Sequence, residues 1–383
     1  MSQPLQLVVF SDDWGRHPSS CQHLIRLLSA QHPVLWVNTI GTRRPTLSFD
    51  DLGKAVVKLG QWLKPSSVSG QLPAKMRVIT PLMYPGFRSW WQRWINTRMI
   101  SQRVNQELNA GIDRNKRVAI ATLPIAADLV GQINVDYWVY YCVDDFSTWP
   151  GLDGSVMKEL DQKLAGRVDR VICVSQVLQA RMAQFGFESQ LLTHGVDPTY
   201  WQGRQSTNLP AWWSGLEGPV SLFWGLVDQR LDTVICEALA QQCGTLVLVG
   251  PRQSPDPRLV AHRRIYMPGP VAYETLPALA QAADILVMPY ADLPVTRSIQ
   301  PLKFKEYLAT GKPVIARRLP ATAPWADAAD LVDNAEQCRL LVKDRIKHGT
   351  PPEQQQARQR LGGESWISKA EQFGKIILDG IYS

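Results

Sequence analysis

Two acidic residues, Asp144 and Asp145, end the apolar run Tyr137 to Val143 in VYYCVDDFSTWP and are followed by Phe146 and Trp149. Adjacent carboxylates at a strand end can hold a metal ion, act as a general base, or cap the next helix. A second constellation lies in PLKFKEYLATGKPVIA, residues 301–316. Pro301 suits the start of a helix, Lys303 and Glu306 fall on neighbouring turns, and Gly311 closes the helix before another strand. This is either an ordinary helix with an exposed ion pair, or a helix N-terminus whose open amides and positive dipole end receive a diphosphate, with Lys303 adding a point charge. In FWGLVDQR (223–230), Gly225 directly after a strand admits close approach of a ligand, and Arg230 can hold a phosphate through two hydrogen bonds.

These residues need strand ends to position them, and the apolar pattern supplies such ends. Strand-like runs occur at 5–10, 34–39, 76–81, 117–124, 137–143 and 170–175, with helical spacing over 20–31 and 155–166. The stretch 198–219 breaks the alternation with Pro, Gly and polar residues and reads as a linker. Alternation then resumes with strands at 220–226, 245–251, 264–271, 283–290 and 312–319, and helices over 230–242, 273–283 and 301–310. Strands that are apolar throughout and alternate with helices imply parallel sheets covered on both faces. The expected organisation is therefore two Rossmann-like, doubly wound α/β domains, 1–197 and 220–350, joined by the linker 198–219. C-terminal helices over 351–383 follow, broken at Gly362–Gly363. Paired domains of this kind bind ligands at strand C-termini, so the site is expected in a cleft between them.

Composition narrows the function classes. The six cysteines are scattered and mostly lie inside apolar runs, which suits reduced core residues of a cytosolic protein. Neither they nor the six histidines have zinc-ligand spacing. The chain has no run of 18 uncharged apolar residues, so no membrane-spanning helix is expected, and MSQPLQLVVFSDDW reads as a first strand rather than a signal peptide. The formal charge of +7 is uneven: residues 1–120 carry +10 and the remainder −3. The first half should therefore meet an anionic partner.

Two stretches could supply that contact. FSDDWGRHPSSCQH (10–23) is a long loop with Asp12, Asp13, Trp14, Arg16 and His17; it lacks GxGxxG and suits acceptor contact, with Ser19 or Ser20 capping the next helix and His23 packed. PGFRSWWQRWINTRMISQR sets Trp90, Trp91 and Trp94 beside Arg88, Arg93, Arg98 and Arg103, with no acid before Glu107. Tryptophan and arginine side by side suit an anionic membrane interface. The bland alternative packs the tryptophans on the sheet. No nucleic-acid recognition motif accompanies the charge, and SFDDLGKAVVKLGQWLKP (48–65) belongs to the same basic half.

PLKFKEYLATGKPVIA resembles the donor-binding signature of GT-B glycosyltransferases, and FWGLVDQRLDTVICEALA, LVLVGP and GPVAYETLPALAQAADILVMPY fit the same domain. LVVFSDDWGRHPSSCQH, VYYCVDDFST and THGVD (193–197) resemble the xanthan-type β-glucuronosyltransferase family. The resemblance implies a GT-B fold whose C-terminal helix crosses back to the first domain. It implies sugar transfer from a UDP- or GDP-sugar to a saccharide acceptor, lipid-linked, in polysaccharide, glycolipid or cell-envelope synthesis. No metal or other cofactor is expected. Donor contacts would come from Gly225, Arg230, Tyr290, Pro301, Leu302, Lys303 and Glu306, the last bonding ribose hydroxyls or the sugar. Asp144 aligns with the base, and Asp13, Trp14 and Asp145 lie on the acceptor side, Asp145 as a cap or orienting neighbour.

Retaining relatives carry a glutamate eight residues before the position of Glu306; here it falls on Ser298, which favours inversion. Docking through Trp90, Trp91, Arg93 and Trp94 would hold the protein on the cytoplasmic face of the plasma membrane. Two other classes remain open at this level: a nucleotide-sugar epimerase of GT-B-like fold, and a non-catalytic nucleotide-sugar or membrane-binding protein.

Overall fold

The computed structural model describes residues 5–15, 19–38, 72–84, 86–110, 115–149, 151–202 and 209–382. Arg16, His17 and the stretch 48–65 lie outside the described residues. The chain divides into two compact units, Met1–Thr193 with Lys369–Ser383, and His194–Ser368.

Unit 1 is built on seven parallel strands: β1 (Gln6–Ser11), β2 (Val34–Asn38), β3 (Met76–Ile79), β4 (Arg117–Ala121), β5 (Tyr137–Cys142), β6 (Arg170–Cys173) and β7 (Gln190–Leu191). They run in the order β3-β2-β1-β4-β5-β6-β7. All six residues of β5 are buried, as a strand covered on both faces requires, whereas the two-residue edge strand β7 is exposed. Short polar caps start the covering helices. Ser19 accepts from Gln22 N to open Ser20–Leu28, and Ser175 accepts from Leu178 N to open Gln176–Gln184. The helix Gly154–Ala165 is capped by Asp153, whose side chain accepts from Val156 N.

Unit 2 has six parallel strands: β8 (Val220–Trp224), β9 (Thr245–Val249), β10 (Ile265–Gly269), β11 (Ile285–Met288), β12 (Val314–Arg317) and β13 (Asp330–Val332). Their order is β10-β9-β8-β11-β12-β13. The three-residue β13 is too short to stand out in the apolar pattern. Residues 198–219 are not a bare connection: they hold the helix Pro198–Gln202 and a short 3-10 turn at Ala211–Gly215. Trp201 orders the first of these, buried and stacked on Trp224 with ring centroids 5.2 Å apart. Burying an aromatic of this size stabilises by about 3 kcal/mol against alanine.

The last helix, Trp366–Tyr382, begins in unit 2, and its residues from Lys369 onward belong to unit 1. There Phe373 is fully buried and meets Tyr141 edge-on at 5.2 Å. In each sheet the strand order reverses direction at one point, between β1 and β4 in unit 1 and between β8 and β11 in unit 2. Loops leaving the C-terminal ends of strands at such a point form a ready ligand crevice.

Candidate functional site

In unit 2, groups from three connections meet at the switch point. Gly225 follows β8 with φ +141°, and Gly250 follows β9 with φ +142°, values that side-chain-bearing residues rarely adopt. A Cβ on Gly250 would overlap the carbonyl oxygen of Gly225, and one on Gly225 would overlap Lys303 Nζ. The bare glycine therefore makes the space that the lysine head occupies. Lys303 Nζ donates to Tyr290 Oη at 2.9 Å and lies 4.3 Å from the centre of the Phe223 ring.

Lys303 stands in the first turn of the helix Leu302–Ala309, whose N-cap residue, Pro301, supplies no side-chain cap. Pro301, Leu302 and Lys303 thus present an uncapped helix start beside a cation, the arrangement that favours a phosphate. The connection after β11 is tied to the one after β8: Leu231 and Tyr290 form an antiparallel bridge, and Ala291 N donates to Arg230 O at 2.7 Å.

One turn on, Glu306 is fixed at both oxygens. Tyr273 Oη donates to Oε1 at 2.9 Å and Trp224 Nε1 donates to Oε2 at 3.2 Å. Burial pushes its carboxyl above the usual carboxylate range, against the opposing pull of these two donors and of Lys303. Burial and the adjacent Glu306 likewise push the Tyr273 hydroxyl well above an ordinary phenol, so it acts as donor. Tyr273 also stacks on Tyr200 at 5.5 Å.

Arg230, expected as a diphosphate clamp, instead holds Asp228: its Nε lies 3.0 Å from both carboxylate oxygens. This pair offsets the charge that a phosphate would need. Ser298, at the position where retaining relatives carry the first glutamate, is buried and donates to Val295 O at 2.9 Å.

In unit 1 the loop after β5 carries the two aspartates in different roles. Asp145 is buried and caps the turn Phe146–Thr148, accepting from Ser147 N at 3.0 Å and Ser147 Oγ at 2.5 Å. It also pairs with Arg181. Its carboxylate is engaged in the fold as the cap of this turn. Asp144 is half-buried, and its Oδ1 accepts from Asp145 N at 2.9 Å.

After β1, Asp13 is half-buried and its carbonyl accepts from Gln22 Nε2. Trp14, expected on the acceptor side, is instead 5% exposed and meets Trp36 edge-on at 4.8 Å. The large apolar ring is worth more in that packing than at a wet loop. Among the described residues no three His, Cys, Asp or Glu side chains are grouped as metal ligands would be.

The helix Trp90–Ala110 separates the residues expected to dock. Trp90 is 78% and Trp94 58% exposed, and Leu82, Tyr84 and Trp91 are also exposed. Tyr84 meets Trp91 edge-on at 5.1 Å, which joins the loop and the helix into one ledge. Arg93 turns the other way. Its Nε and Nη2 hold Asp128 at 2.7 and 3.0 Å and its Nη1 holds Glu159 at 3.0 Å, so it braces the fold rather than facing outward. No described helix is long and apolar enough to cross a membrane.

Sequence reasoning missed the partners that fix the two acidic groups. Tyr273 and Trp224 hold Glu306, but they lie far from it in sequence and carry no motif. Asp161 carried a usable signal: it falls among Met157, Leu160 and Leu164 on the buried face of its helix, where an acid needs a partner.

The fold matches solved structures along the whole chain. Sucrose-phosphate synthase from Thermosynechococcus elongatus superposes with a TM-score of 0.70 at 16% identity, covering 98% of each chain. The α,α-trehalose 6-phosphate synthase from Burkholderia multivorans gives 0.66 at 12% identity, covering 98% of this chain and 97% of that one. Residues 227–345 match the family described as glycosyl transferases group 1.

Fold and matched segment define the class: the chain has the GT-B fold of these structures, and its residues 227–345 are similar to the glycosyl transferases group 1. TuaH of Bacillus subtilis (strain 168), named as a teichuronic acid biosynthesis glycosyltransferase, is 28% identical over 178 residues. That alignment spans 44% of this chain and 45% of TuaH.

Proposed function

We propose that the chain transfers a glycosyl group from a UDP- or GDP-sugar to a lipid-linked saccharide acceptor, with inversion and without a metal ion, in synthesis of an envelope polysaccharide. The observation that carries the reading is the glycine-made space at the unit 2 switch point, occupied by Lys303 beside an uncapped helix start. A diphosphate is the group such a site suits, because charge builds on the leaving phosphate as the glycosidic bond breaks. The similarity to TuaH supports a polysaccharide product.

The acceptor hydroxyl oxygen attacks the anomeric carbon, and the bond from that carbon to the phosphate oxygen breaks. The electron pair leaves on the nucleoside diphosphate, which Lys303 and the amides of the helix start stabilise. The hydroxyl proton passes to the Asp144 carboxylate. Glu306, fixed by Tyr273 and Trp224, orients ribose or sugar hydroxyls. The serine at 298 supports inversion, since no carboxylate stands there. The exposed ledge of Leu82, Tyr84, Trp90, Trp91 and Trp94, with Arg88 and Arg98 nearby, is the surface that would rest on the cytoplasmic membrane face.

A panel of UDP- and GDP-sugars tested for thermal stabilisation of the full chain identifies the donor, since a ligand of the native state raises stability by RT ln(1 + [L]/Kd). Stabilisation by none of them sinks the donor reading. With the donor found, acceptor-dependent nucleotide release that persists in EDTA is expected, and NMR of the product should show the inverted anomer. Release without acceptor would favour the epimerase class, and a retained anomer would overturn the stereochemical assignment.

A further inference from the structure

Behind the two aspartates of unit 1 lies a chain of buried polar contacts that no step above uses. Tyr140, on β5, donates to Asp161 Oδ1 at 2.5 Å. Asp161, on the helix Gly154–Ala165, lies 2.8 Å from Arg181 Nη2. Arg181, on the helix Gln176–Gln184, pairs through Nη1 with Asp145 and donates to Ser147 Oγ at 3.1 Å. Asp145 N in turn donates to Asp144 Oδ1. The side chains of Arg181, Asp161 and Asp145 are 14%, 4% and 12% exposed.

Ion pairs withdrawn from water in this way are poor sources of stability, because desolvation takes back most of the attraction. What they do offer is geometry. The planar guanidinium lies in ion-pair contact with two carboxylates at once, and a lysine in its place could present only a point charge. The Phe185 ring, 5.2 Å from the guanidinium carbon, further confines it. Three separate elements thus converge on one loop, the one that carries Asp144.

We infer that Arg181, backed by Asp161 and Tyr140, is a positioning residue for the Asp144 carboxylate. It holds Asp145 and the turn at Ser147, and through the Asp145 amide it sets the orientation of the base toward the acceptor hydroxyl. This inference rests on the proposed role of Asp144. It is a role in orientation: Arg181 itself touches neither donor nor acceptor in the step.

The test compares Arg181→Met, Arg181→Lys, Asp144→Asn and the double variant Asp144→Asn/Arg181→Met. Each is assayed as the full chain for UDP or GDP release from whichever of UDP-glucose, UDP-glucuronic acid or GDP-mannose turns over, with a bacterial lipid extract as acceptor source. Arg181→Met should lower kcat by about 30-fold with donor affinity within about twofold of the parent, because a misplaced base costs rate and not donor binding. Arg181→Lys should recover part of that loss. Added to Asp144→Asn, the Met substitution should change kcat by less than about twofold, since a residue acting only through Asp144 has nothing left to act on.

An additive double variant would show a merely structural role and overturn the inference, as would kcat within twofold in Arg181→Met alone. Full transfer in Asp144→Asn overturns the base assignment and this inference with it. A normal Arg181→Met beside an inactive Asp144→Asn overturns this inference alone. Should Arg181→Met fail to fold, Ser147→Ala and Arg181→Lys are followed by hydrogen exchange. Faster exchange confined to 143–149 supports the inference, and unchanged exchange there overturns it.

Discussion

The two sheets share one strand order across six strands, β3-β2-β1-β4-β5-β6 in unit 1 and β10-β9-β8-β11-β12-β13 in unit 2, yet their switch points carry opposite equipment. Unit 2 leaves its first strand through Gly225, and the space so made holds a lysine against Phe223 and Tyr290. Unit 1 leaves its first strand through Ser11-Asp12-Asp13 and closes the loop with Trp14 packed on Trp36. Its proposed base stands two strands across the sheet, in a carboxylate after β5 backed by a buried arginine. On the proposed reading, the same topology offers an anion site where the loop is emptied of side chains, and a base where it is filled with acids. Strand order places a site; the residues at strand ends decide its sign.

That contrast can be broken, first at the unit 2 site. Lys303→Met should weaken donor binding by about 30-fold, the scale of a charge-assisted contact of ~2 kcal/mol, read as donor Kd by calorimetry. An unchanged Kd would remove the anion site. Gly250→Ala places a methyl against the Gly225 carbonyl at a strained φ, and should cost about 3 kcal/mol in urea unfolding. Gly225→Ala should cost less stability, about 1 kcal/mol, because the atom it meets is the mobile head of Lys303, yet it should weaken donor binding as well. Equal stability losses in the two variants would contradict the assignment of separate jobs to the two glycines.

Smaller effects are expected at the surface and the buried histidine of unit 1. Replacing Trp90 and Trp94 together by serine should lower binding to phosphatidylglycerol vesicles several-fold, with nucleotide release from soluble donor unchanged; equal vesicle binding would discard the ledge. His32 gives the smallest effect. Its Nδ1 accepts from Leu5 N, and burial, then nearby Lys75, pull its pKa below the ordinary imidazole value. The unfolded chain therefore binds the proton more readily. The stability this group contributes is present above the unfolded pKa, near 6.5, and is lost as pH falls through the lower folded value. Thermal unfolding between pH 7 and 5 should show that loss, and His32→Gln should reduce it.

Much of this was legible in the residues. Uniformly apolar β5 and β8 announce strands buried on both faces, and Pro301 with Gly311 brackets a helix that the structure runs from Leu302 to Ala309. Glycine after β8 and lysine after Pro301 could be named because each is read through a local property, bare backbone or helix start.

What stayed hidden depends on partners distant in sequence. Arg230 looks like a free clamp until Asp228 is seen on it, and Arg93 looks like a docking cation until Asp128 and Glu159 claim it. Trp14 and Trp94 are the same residue type in equally mixed stretches; only packing separates the buried one from the exposed one. The segment 198–219 read as a linker because Pro and Gly break periodicity, while the stacking of Trp201 on Trp224 leaves no periodic trace.

The proposed roles of Asp144 and Lys303 are tested most directly by measuring donor Kd and acceptor-dependent turnover together for Asp144→Asn and Lys303→Met. Asp144→Asn should leave Kd within about twofold while cutting kcat by at least about 100-fold, the scale of losing a general base. Lys303→Met should raise Kd. If Asp144→Asn instead turned over at the parent rate, or weakened donor binding as much as Lys303→Met, then base and anion site would not be separate and the account would fail.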